Sequence, residues 1–176
     1  MAHLEDDSEF DYLPSSDGCG FLAAGWISRD CNYRQDAVSD GFFRALCRLL
    51  ANPWTPPVAS AGVHRCELCR FSGGSSSYRF EEYSFSAIGS SELFVPTESG
   101  VYVAPISIAH YIDAHGYCPS EAFQEAVLTC PEMRSTAYLK LLLNGGVREW
   151  TRRMEERFGE AEQVASSKTD SRLGDS

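Results

Sequence analysis

Two cysteines with two residues between them, and two histidines with four between them, limit what this chain can fold into more than any other feature. Cys66 and Cys69 stand in GVHRCELC, and His110 and His115 stand in PISIAHYIDAHG. Two intervening residues let a tight turn aim both sulfurs at one ion, and the H-x4-H spacing lies within the range of structural zinc ligands. A fold that uses all four must bring a turn against a helix well downstream. The two halves are predicted to hold one structural Zn2+ per chain through Cys66, Cys69, His110 and His115.

The stretch between the halves reads as strands. SGGSSS is a flexible loop by composition. Tyr78 and Phe80, then Tyr83 and Phe85, alternate with polar residues, and the phase slips at Glu81-Glu82. That is the mark of a bulged strand or of two short strands. ELFV and VYVA flank PTESG, predicting a β-hairpin over residues 92–104. Pro105 is expected to open the next helix, where a missing N–H costs nothing. The resulting order, knuckle then hairpin then ligand-bearing helix, resembles that of treble-clef zinc fingers.

The histidine spacing raises a geometric problem. At about 100° per residue, side chains five apart sit about 140° apart around a regular α-helix. Both can face one ion only if the last turn tightens or unwinds, which Gly116 permits. Otherwise His64 takes the place of His115. His115 could also serve only the free carbonyls and dipole at the helix end. A redox dithiol is a further reading of Cys66 and Cys69. It calls for a helix N-terminus after a strand, and here the motif follows a proline-rich connector and leads into serines and glycines.

Elsewhere the pattern is that of a mixed fold. FLAAGWI, residues 21–27, reads as a buried strand. Ser39 is an N-cap for a helix with Phe43, Leu46, Cys47 and Leu50 on one stripe, stopped by Asn52-Pro53. A helix follows from about Ser120, with Phe123, Val127 and Cys130 on one face. TCPE fits a capping box for the next helix, which ends at Asn144-Gly145-Gly146. The last helix carries Val147, Trp150, Met154 and Phe158. The predicted architecture is α+β, a small antiparallel sheet with four to five helices. Residues 1–18 are expected to be an acidic, loosely ordered segment, 19–160 a single zinc-stabilised domain, and 161–176 a disordered tail.

Charge bears on partners. The net charge is -10, and nine of the 25 acidic residues but only two of the 15 basic ones fall in residues 1–40. Such a segment repels phosphate, so no nucleic-acid partner is expected. No apolar run approaches a membrane span, and no apolar leader follows Met1. The expected location is cytoplasmic, where thiols stay reduced and Cys19, Cys31, Cys47, Cys118 and Cys130 serve as small packing residues.

Catalytic signatures do not occur. HExxH, G-x-S-x-G, Walker A, GxGxxG and the HxE…PCxxC pattern of zinc deaminases are all missing. Glu67, Glu81, Glu82 and Asp113 are candidates to orient a ligating histidine. The expected function is therefore a non-enzymatic zinc-binding domain supporting contact with a protein partner. The alternatives are a zinc enzyme with an open coordination position and a CxxC redox sensor. GVHRCELC together with ELFVPTESGVYVAPISIAHYIDAHGYCPSEAFQEAV resembles a family of small uncharacterised bacterial proteins with HxCxxC and HYIxxHGYxPPxxF segments. The likeness covers residues 20 to 130, and Ser120 stands where the second proline is usual. It implies a discrete bacterial domain that uses these histidines and cysteines as a unit, and it adds no reaction.

Overall fold

The computed structural model describes residues 3–56, 66–69, 77–86 and 92–170. It is an α+β structure with one three-stranded and one two-stranded sheet. In chain order the elements are β1 (Phe21–Ala23), α1 (Asp40–Ala51), β2 (Ser77–Phe80), β3 (Tyr83–Ser86), β4 (Glu92–Pro96), β5 (Val101–Pro105), α2 (Ile108–His115), α3 (Glu121–Thr129), α4 (Thr136–Leu142) and α5 (Arg148–Asp170).

The β4–β5 hairpin lies at the centre. Both strands are buried along their length, and Phe94 pairs with Val103. Thr97 closes the turn by donating its N–H to the Gly100 carbonyl at 2.8 Å. Pro105 does not open the following helix as its sequence context predicts. It is the last residue of β5, opposite Glu92, and α2 begins three residues later. β1 pairs with β5 only as far as Val103, so Pro105 lies beyond the doubly paired stretch, at a position with the character of an edge, where a missing N–H is tolerated.

The larger sheet is not purely antiparallel. β1 adds to the free edge of β5 in parallel, with Phe21 beside Val101. Parallel neighbours need a long crossover, and α1, β2, β3 and β4 all lie between these two strands in the chain. β1 is also shorter than the predicted run, because Gly25 turns the chain at φ 74. Trp26 and Ile27 stay buried, and the Trp26 indole donates to the Val103 carbonyl at 2.8 Å.

The acidic N-terminal segment is docked rather than loose. Leu4 and Asp7 donate their backbone N–H groups to Trp26 and Ala23, Phe10 donates to Phe21, and Ala23 donates back to Ser8. Phe10 and Leu13 are fully buried. The acids that made the segment look solvated are partly what holds it. Asp6 accepts from the Tyr117 hydroxyl at 2.7 Å, from Gly25 N–H at 3.0 Å and from Ser120 N–H at 3.1 Å. Asp7 accepts from Tyr102 and Ser120 hydroxyls at 2.7 and 2.8 Å.

β2 and β3 are two short strands in a separate antiparallel pair, and the phase slip at Glu81-Glu82 is the turn between them. This hairpin rests on α1. Phe43 meets Phe80 edge to face at 5.0 Å, and Arg44 grips Glu81 with two bonds at 2.9 and 2.7 Å. Ser39 and Ser120 cap α1 and α3 by accepting from Phe42 and Phe123 N–H. The expected capping box at Thr129 does not form. The Thr129 hydroxyl donates back to Glu125 O at 2.8 Å, the chain turns through Arg134 at φ 64, and Ser135 caps α4 instead.

α4 runs into α5 through a widened stretch, Leu143–Val147, kinked at Gly146. Gly146 has φ 126, and a Cβ there would lie 1.7 Å from the Cys19 carbonyl oxygen, so a side chain has no room. Trp150 and Met154 are buried, and Phe158 is 54 % exposed. Helical backbone continues to Asp170, into the stretch expected to be a tail. No helix among the described residues is long and apolar enough to cross a membrane.

Candidate metal centre

α2 and the turn at residues 66–69 meet, and four side chains converge there. One ligand atom from each of Cys66, Cys69, His110 and His115 lies within 4.8 Å of every other, and the cluster could hold a metal ion. Cys66 Sγ is 3.2 Å from His115 Nε2. Cys69 Sγ is 3.3 Å from His110 Nε2 and 3.6 Å from His115 Nε2.

The two histidines meet at the C-terminal end of α2. Gly116 N–H reaches the carbonyls of both Ile112 and Tyr111, and Tyr117 N–H also bonds Tyr111 O at 3.1 Å. The two rings stand edge to face, with centroids 5.0 Å apart and planes at 86°. Gly116 takes the left-handed conformation, φ 63, that ends the helix.

The turn carrying the cysteines is pinned to the body. Arg29 donates from its guanidinium to the Glu67 carbonyl. Leu68 packs against the core, and Cys66 is buried. Burial pushes the Cys66 thiol above its ordinary value, and the backbone N–H groups of Cys69 and Leu68, aimed at the sulfur, work against that rise. N–H donors on sulfur favour the thiolate, the form that binds metal.

Burial holds both imidazoles below the ordinary histidine range. His115 pushes His110 further down, while Asp113 opposes it. A neutral imidazole is the form with a lone pair to give a metal. Of the acids considered as orienting partners, Glu81 is committed to Arg44 on another face, and Asp113 is the one whose charge reaches His110. His64, the candidate replacement for His115, lies outside the described residues. Sequence reasoning did not find Arg29, because its bond is to a backbone carbonyl and leaves no pattern of residue types.

The chain belongs to a family described as a domain of unknown function, DUF7919, whose model matches residues 2–128. The match includes all four clustered residues. No curated protein and no solved structure matches the chain.

Proposed function

We propose that this is a non-enzymatic zinc-binding domain in which one structural zinc joins a treble-clef-like knuckle to α2 and supports a surface for protein–protein contact. The observation that carries the proposal is the shape of the donor cluster. With zinc–sulfur and zinc–nitrogen bonds of roughly 2.3 and 2.0–2.1 Å, a tetrahedron has sulfur–nitrogen edges of about 3.5 Å. Three of the four sulfur–nitrogen distances are 3.2, 3.3 and 3.6 Å, and all four donor atoms lie within 4.8 Å of one another. Two sulfurs and two imidazole nitrogens suit zinc, whereas calcium and magnesium take oxygen.

Four protein donors fill a tetrahedron and leave no position for water, which favours a scaffold over a catalyst. All seven cysteines are free thiols. The location proposed is the cytoplasm, where thiols stay reduced and available to a metal. Protein purified without chelator should carry about one zinc per chain, with X-ray absorption reporting two sulfur and two nitrogen neighbours. Metal-free protein with an unchanged melting temperature would sink the proposal. A coordinated water in place of one protein ligand would favour an enzyme, and a disulfide between Cys66 and Cys69 formed reversibly on mild oxidation would favour a sensor.

A further inference from the structure

A groove opens beside the metal centre, and we infer that it takes an arginine side chain presented by an exposed basic segment of a partner protein. This rests on the contact role proposed above and names the chemistry of the partner. The groove has a volume of about 320 Å³ and is lined by apolar Phe43, Phe80 and Ile112 and by three carboxylates, Asp36, Asp40 and Asp113. Ile112 and Asp113 belong to α2, between the two histidines. Asp36 is tied to the end of the same helix, where its N–H bonds Gly116 O at 3.2 Å and Gln35 Nε2 bonds His115 O at 3.2 Å.

The lining is apolar below and anionic at the rim. Among the described residues, no lysine or arginine forms an ion pair with Asp36, Asp40 or Asp113. Arg44, one turn along α1 from Asp40, is held by both oxygens of Glu81. The complementary occupant is an aliphatic stem that ends in a cation. Arginine fits better than lysine on two counts. Its planar guanidinium stacks on aromatic rings, and Phe43 and Phe80 offer two rings at right angles. Its fork of donors also bonds two separate carboxylates at once, which an ammonium on one point cannot do as well.

The test uses the full metal-loaded chain, labelled with 15N, titrated with the capped peptide Gly-Gly-Arg-Gly-Gly. Controls carry citrulline, the neutral isostere, or lysine in place of arginine. Expected are saturable amide shifts at residues 36–43, 80 and 112–116, weaker with lysine and lost with citrulline. Asp36→Asn and Asp113→Asn should each weaken binding about twofold to fivefold, as for exposed ion pairs, and the weakening should grow with salt. Both residues are exposed, and asparagine keeps an oxygen to accept from the Tyr78 hydroxyl at position 113 and from Ala37 N–H at position 36, so the variants should keep the wild-type melting temperature. Equal shifts with citrulline, shifts elsewhere on the surface, or no shift at all would overturn the inference. Zinc measured in the same sample separates a failed groove from a failed metal assignment, since zinc-loaded protein that ignores arginine rejects the groove alone.

Discussion

Each of the four clustered side chains has a different amount to lose. Cys66 is buried and takes backbone N–H bonds at its sulfur, so Cys66→Ser should abolish metal retention and loosen the turn around it. His110→Ala should do the same, read as zinc content and amide exchange in α2. His115→Ala should also release zinc, because both sulfurs lie within 3.6 Å of its ring. Full zinc content in His115→Ala would mean that another donor completes the site. The remaining thiols should behave differently toward alkylating agents. Burial drives Cys47 up to about 12 and Cys130 up to about 11, so both stay protonated and inert at neutral pH. That Cys66, Cys69 and His110 come together, with His115 or His64 as the fourth, was legible from C-x2-C and H-x4-H, and the structure brings His115 to them. How two histidines five apart share a centre was not, because the end of α2 that carries His115 is tied to Gln35, eighty positions away in the chain.

At the scale of elements, local signals were read well and distant ones poorly. Ser39 and Ser120 cap their helices through bonds to residues three along, and the β4–β5 turn closes within four residues, so each leaves a mark in a short window. The parallel pairing of β1 with β5 and the docking of the N-terminal segment join residues far apart, and their polar groups resemble a solvated surface. Asp6 shows the difference best. Its carboxylate satisfies a buried tyrosine hydroxyl and two N–H groups, so Asp6→Ala strands three donors. Each unmet donor costs about 1–3 kcal/mol where water cannot reach it. Asp6→Ala should lower the melting temperature and speed amide exchange in residues 4–10 and β1, with zinc content unchanged. Wild-type exchange there would show that Phe10 and Leu13 hold the segment without the carboxylate.

Across the whole molecule, the metal centre is one part of a core that extends well beyond it, joined to it through Cys66 with Leu68 and Cys69 packed alongside. Phe21, Phe94 and Trp150 pack together with centroids 5.7 to 6.3 Å apart, and Trp54 adds to Phe94 at 5.1 Å. None of these rings belongs to the cluster around the cysteines. Removing metal should therefore produce partial loosening rather than unfolding. Chelation is expected to raise amide exchange in α2 and residues 66–69, while β4, β5 and α5 near Trp150 stay protected. Collapse of protection throughout would show that zinc binding and global folding are one event, as in small fingers.

The docked N-terminal segment also sets an order in time. Two of its anchors come late in the chain: Tyr117 for Asp6, and Trp150, whose indole donates to the Pro14 carbonyl across 136 positions. A ribosome makes the first strand long before its parallel neighbour or that tryptophan exists. Contacts of such sequence separation must close large loops before they return any stabilisation, and chains rich in them fold slowly. The nascent chain would thus be able to pair the segment with β1 early but could complete its docking only once Tyr117 and Trp150 have been made.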